Sequence, residues 1–165
     1  MSIAPELLRT FALRAADAGL IETFNAEDLD ALATRLDSVE RAAGEAIRER
    51  SDHSVWLLLS GEITAAYVPA AGEEVDLGTL APGTMVGDLA LLLDLPEPIA
   101  LVAKTPCHLA RLDRAAFWRW TESGEPAAAH FHHLLARLLT RRLRFANARF
   151  ATLAIDEDPD RRSLY

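Results

Sequence analysis

The chain has 165 residues, half of them hydrophobic and a quarter charged, which is enough for one core with flanking helices. Its net charge of −8 argues against a protein that binds nucleic acid over its whole surface. Cys107 is the sole cysteine, which excludes an intrachain disulfide and any zinc site built on two or more thiolates.

No membrane span is expected: the longest comparable apolar run, residues 89–95, is short and contains Asp94. The opening Met1-Ser2-Ile3-Ala4-Pro5-Glu6 has no basic segment leading into an apolar one, so no signal peptide is expected and a reducing cytoplasm is the simplest home. In chain order, residues 1–36 read as helical. Leu7, Leu8, Phe11, Leu13 and the alanine-rich stretch 15–18 form one run, which Gly19 ends. Asn25 then suits an N-cap, with Asp28 three residues on and Leu29, Leu32 and Leu36 at helical spacing.

Residues 37–112 read as strands. Val75-Asp76-Leu77-Gly78-Thr79-Leu80 alternates with period two. Short apolar runs at 55–59, 63–68 and 100–103 are bounded by Ser60-Gly61, Pro69-Ala70-Ala71-Gly72 and Ala81-Pro82-Gly83. This spacing predicts a small antiparallel barrel or jelly roll. The segment 87–94 breaks the pattern: helix formers follow Gly87, with Asp88 in the first turn, and predict a short helix set into the barrel.

Residues 113–155 read as helices, one opening at Asp113 and a long one starting at Pro126, a residue suited to a first helical position. Along the long helix Ala136, Leu139, Leu143, Ala146, Phe150 and Leu153 follow at spacings of 3, 4, 3, 4 and 3. That is a heptad seam and predicts a homodimer through this helix. Residues 156–165 form a tail that opens acidic. Charge is unevenly spread. Residues 51–110 hold eight carboxylates, one lysine and no arginine, whereas 130–149 hold Arg137, Arg141, Arg142, Arg144 and Arg149 and no acid.

Several ordered pieces carry a resemblance: Gly44-Glu45-Ala46-Ile47-Arg48-Glu49, Ser60-Gly61-Glu62-Ile63, the stretch from Leu80-Ala81-Pro82-Gly83 through Val86-Gly87-Asp88-Leu89-Ala90-Leu91-Leu92, then Val102-Ala103-Lys104-Thr105-Pro106-Cys107-His108-Leu109, and Leu112-Asp113-Arg114-Ala115-Ala116-Phe117. Together they resemble the cyclic-nucleotide-binding domain, the sensor half of catabolite-activator-type regulators and cyclic-nucleotide-dependent kinases. The resemblance covers residues 19–150. It implies a mainly β fold, a β-roll with helices at both ends, in which 44–49 is the strand entering the barrel. It also implies a phosphate-binding cassette over Val86, Gly87, Asp88, Leu89, Ala90, Pro96, Glu97, Pro98 and Ile99. In such a cassette the glycine lets backbone approach the ligand, the acid accepts from a ribose hydroxyl, and an arginine after the proline grips the cyclic phosphate.

This chain departs from that pattern. Glu97 stands where the resemblance calls for the arginine, Pro98 and Ile99 replace small residues, Asp88 replaces glutamate, and an upstream Gly-Asp turn reads Ser51-Asp52. Losing the phosphate contact costs roughly 1.5–3 kcal/mol. A carboxylate in its place adds repulsion on the order of 3–4 kcal/mol at 4–5 Å. Binding should weaken by roughly three to five decades. The expectation is therefore no cofactor, with the cyclic nucleotide that the family would bring argued against by Glu97.

Other residues read blandly. His130, His132 and His133 on the long helix lack a third metal ligand, and His53 and His108 stand far apart, unlike a metal-binding cupin. Motifs for nucleophilic, P-loop or zinc-hydrolase chemistry are absent. Too few residues follow 153 for a helix-turn-helix, so the arginines are expected to meet carboxylates rather than DNA. Trp118 and Trp120 suit packing at the helix junction, and Cys107 suits a buried thiol. The function expected is a non-enzymatic regulatory module, a dimeric sensor or interaction scaffold acting through a partner protein. The alternative is a genuine small-ligand sensor with an altered pocket.

Overall fold

A computed structural model of the chain describes residues 3–14, 23–93 and 98–157, with side chains through 152. Two helices come first, α1 (Pro5–Arg14) and α2 (Ala26–Ala33). Seven strands follow: β1 (Asp37–Arg41), β2 (Val55–Ser60), β3 (Ile63–Tyr67), β4 (Val75–Leu80), β5 (Met85–Val86), β6 (Ile99–Ala103) and β7 (Cys107–Leu112). A short helix, α3 (Asp88–Leu93), sits between β5 and β6. Two more close the described chain, α4 (Arg114–Glu122) and α5 (Pro126–Glu157).

The strands form two antiparallel sheets, of order β1-β7-β2-β5 and β4-β3-β6. This is the β-roll with helices at both ends that the sequence predicts. Strand β2 explains the two cores. All five residues 55–59 are buried, because both faces of the strand are covered. Trp56 and Leu58 face the roll interior, with Ile47, Ile63, Ala65, Leu101, Ala103, Cys107 and Leu109. Val55, Leu57 and Leu59 face the helices, against Leu8, Phe11, Leu32, Phe117, Phe131 and Leu134. Each large side chain so buried contributes about 1.5–3 kcal/mol.

Helix ends follow local chemistry. Asn25 caps α2 by accepting from the Asp28 N–H at 2.9 Å, and Asp28 accepts from the Asn25 N–H at 3.0 Å. Asp113 caps α4 by accepting from the Ala115 and Ala116 N–H groups at 2.9 and 3.2 Å. The α1 run predicted to continue to residue 18 is described only to Arg14, and its remainder lies outside the described residues.

One expectation is corrected. Residues 44–49 do not form a regular strand. They run beside β6 through a single bridge, Ala46 to Val102, with backbone bonds from Gly44 to Ala103 at 2.7 Å and from Ile47 to Leu101 at 2.9 Å. Gly44 takes φ +87°, a left-handed turn that interrupts a ladder. The long helix starts at Pro126 as predicted and runs past residue 153 to Glu157.

Candidate ligand-binding site

Strand β5 pairs with the start of β2, Val86 opposite Trp56 and Met85 opposite Leu57. The chain then turns at Gly87, whose φ is +85° and where a Cβ would fall 2.2 Å from the Ser54 carbonyl oxygen. Only glycine lets the backbone pass so close to β2 and enter α3 directly. Helix α3 buries Asp88, Ala90 and Leu91 and leaves Leu89 and Leu93 exposed.

Asp88 is completely buried. The Arg142 guanidinium, reaching from α5, donates to its Oδ1 through Nη1 and to the Met85 carbonyl through Nη2 at 2.6 Å. The acid to which the resemblance assigns a ribose contact is thus tied to the chain's own long helix. Its second oxygen, Oδ2, accepts no hydrogen bond among the described residues. The expectation that the arginines of the long helix meet carboxylates holds at Arg142, but the sequence does not name its partner, which lies 54 residues away.

The roll wall beside Val86 is aromatic. Trp56 is buried, with the Arg41 and Arg111 guanidinia each 5.7 Å from its ring centroid. Its indole N–H donates to Asp52 Oδ2 at 3.2 Å, and the Ser54 N–H donates to Asp52 Oδ1 at 2.9 Å. Arg111 stands 3.6 Å from Asp52 and 3.3 Å from Asp113. Buried Arg48 donates to the Asp52 carbonyl at 3.2 Å. Asp52, noted in the sequence only as a departure from a Gly-Asp turn, therefore holds the indole and the arginines together at this end of the roll.

Pro96 and Glu97 lie outside the described residues. Pro98 is exposed, its carbonyl accepting from the Val68 N–H at 2.8 Å, and Ile99 opens β6 half-buried. Among the histidines, His130 meets Asp28 Oδ2 at 2.9 Å and His132 the Ala128 carbonyl at 2.9 Å, while His133 is exposed. Cys107 is buried, its Sγ 3.3 Å from the Glu62 carbonyl oxygen; burial pushes its thiol pKa up and the contact only partly opposes that.

The model of the cyclic nucleotide-binding domain matches residues 39–123, just over half of the chain. The chain belongs to the cyclic nucleotide-binding domain family. It is 33% identical over 102 residues to a cAMP-dependent protein kinase regulatory subunit of Colletotrichum orbiculare, covering 61% of this chain and 25% of that one. The Thermus thermophilus catabolite activator protein superposes with a TM-score of 0.70 at 26% identity, over 84% of this chain and 64% of that one. A cyclic nucleotide-binding domain from Methylobacillus flagellatus gives a TM-score of 0.78 at 18% identity, over 92% and 86%. The domain spans a quarter to a third of the curated relatives that head the comparison.

The long helix of this cyclic nucleotide-binding domain has two apolar faces. Ala127, Phe131, Leu134, Leu135 and Leu138 are buried against the rest of the domain. The predicted seam lies elsewhere: Ala136 is exposed, Leu139 and Ala146 are half-buried, and Leu143 and Phe150 are 61% and 70% exposed. The Leu153 side chain is outside the described set. At about 100° per residue the two faces are roughly 110° apart. No helix among the described residues is long and apolar enough to cross a membrane.

Proposed function

We propose that this domain is a non-catalytic regulatory module that does not hold cyclic AMP or cyclic GMP in the family's manner, pairs through α5, and passes its signal to a partner chain. The observation that carries this reading is the buried Asp88 carboxylate, already engaged by Arg142. A ribose hydroxyl must share or displace a charge-assisted bond, which is worth about twice a neutral one. Glu97, in the position of the phosphate-gripping arginine, acts in the same direction. Family membership and similarity to a kinase regulatory subunit and a catabolite activator support the regulatory role.

Thermal unfolding tests this cheaply. A ligand of about 1 µM Kd, supplied at 1 mM, adds about 4 kcal/mol. For a chain of this size that raises the Tm by roughly 10 °C. The expected shift with cyclic AMP or cyclic GMP is below about 1 °C on the same scale. A second reading has its own support: Asp88 Oδ2 is a buried acceptor with no donor among the described residues. A neutral hydroxylated ligand, such as a nucleoside without phosphate, would supply that donor and meet no repulsion from Glu97. A stabilising shift with adenosine or guanosine, absent with the cyclic nucleotides, would select this second reading.

The dimer rests on the stripe that α5 leaves uncovered. Beyond Leu138 the helix continues for about 28 Å, and its exposed apolar side chains recur at heptad spacing. A second copy laid on the same stripe closes the assembly by two-fold symmetry.

A further inference from the structure

Strand β4 stands at the edge of the three-stranded sheet. It pairs with β3 on one side and with no strand on the other among the described residues. An edge strand presents a row of unpaired N–H and C=O groups, a template for another strand. Lysine and proline, which commonly block such an edge, do not occur between Val75 and Leu80.

The side chains along this edge are of two kinds. Val75 lies across from Tyr67, and both are exposed, Val75 at 53%. Ala65 pairs with Gly78 and Ala66 with Asp76, so Leu77 is the extra residue of a bulge, and it is 54% exposed. Large apolar side chains are thus left to solvent on one short strand and its neighbour. Asp76 alternates with them, and Glu73 and Glu74 lead into the strand. All three carboxylates are exposed, and none is in an ion pair among the described residues. By contrast Glu62, in the same roll, meets Lys104 at 3.0 Å. No lysine or arginine occurs between Ser51 and Ala103 to balance them from nearby in the chain.

We propose that the β4 edge docks an extended segment of a partner protein whose side chains alternate between cationic and apolar, added to the sheet as a further strand. Its backbone takes the open edge of β4. Its apolar residues continue the Tyr67–Val75 face, and its lysines or arginines meet the carboxylates at the start of β4. The Gly78 N–H donates to Asp76 Oδ1 at 2.7 Å, an exposed local bond that an incoming strand can replace. A second copy of this chain is the wrong occupant, because two such edges set like carboxylates against each other. The surface rests neither on the state of the cassette nor on the α5 dimer.

The experiment titrates the full chain with a synthetic peptide of about eight residues that alternates lysine and valine, followed by backbone-amide NMR. One control alternates glutamate and valine. The other is the lysine–valine peptide with two adjacent central residues N-methylated, which keeps its charge and blocks both of its edges. The lysine–valine peptide binds saturably below about 1 mM, shifts amides centred on residues 73–80, and binds more weakly as salt rises. Neither control saturates. Glu73→Lys with Glu74→Lys weakens the lysine–valine peptide by about tenfold or more and lets the glutamate–valine peptide bind, with circular dichroism unchanged. Absence of saturable binding, or shifts centred away from β4, overturns the proposal. Equal binding of the N-methylated peptide overturns strand addition and leaves a plain acidic patch. Loss of self-association in the lysine variant assigns the edge to contacts between copies and overturns the choice of partner.

Discussion

Asp88 is the residue on which the reading of the cassette turns. A fully buried carboxylate persists only when paired, and its one described partner is Arg142. Arg142→Ala removes that partner while leaving the carboxylate in place, and should lower stability by about 1–3 kcal/mol, measured by urea denaturation. The upper end is not expected, because the Arg142 side chain is 43% exposed. Gly87→Ala should be worse tolerated than Arg142→Ala: it adds a Cβ 2.2 Å from a carbonyl oxygen at a positive φ, and loss of the folded state in circular dichroism is the expected outcome. At Cys107, burial raises the thiol pKa above its ordinary value. The folded state therefore holds that proton more tightly than the unfolded state. This contribution is fully present below the ordinary thiol pKa and is lost as pH rises through the raised value. A disulfide reagent at neutral pH should modify the native protein much more slowly than the urea-unfolded one. Equal rates would contradict the burial.

At the scale of elements, the proposed dimer depends on α5. Its buried face and its exposed stripe lie side by side, and only the buried face has a partner in the described chain. Leu143→Glu with Phe150→Glu should give monomers in light scattering, with the unfolding transition of the roll nearly unchanged. A wild-type chain that is monomeric at tens of micromolar contradicts the dimer. The heptad stripe is legible in the sequence because its period is strict over five or more positions. The second face is not, because Ala127, Phe131, Leu134, Leu135 and Leu138 interleave with the stripe and blur a single periodicity. The short helix α3 is legible from its composition after a glycine. The segment 44–49 misleads for a physical reason: its residues suit a strand, but the left-handed turn at Gly44 reduces the pairing to one bridge.

For the whole molecule, charge is divided between an acidic roll and a basic stretch of α5. Part of that basic stretch is turned inward, since Arg142 neutralises Asp88. Duplex DNA should therefore bind only near the non-specific range, about 10⁻⁴ to 10⁻⁶ M at physiological salt, with a steep salt dependence. Sequence-selective nanomolar shifts in a gel assay would contradict that. The β-roll and its helices, the short α3 included, are readable because each has a local signature: alternation, caps, or glycine before an acid. The Arg142–Asp88 link and the Asp52–Trp56–Arg111 cluster are not, because they join residues far apart in the chain and exist only once the roll has closed. We propose that the fold is kept while its cyclic-nucleotide site is not. Titration calorimetry of the wild-type chain with cyclic AMP at near-physiological salt tests it most directly: no saturable heat into the high micromolar range is predicted, and a Kd in the low micromolar range or tighter would contradict it.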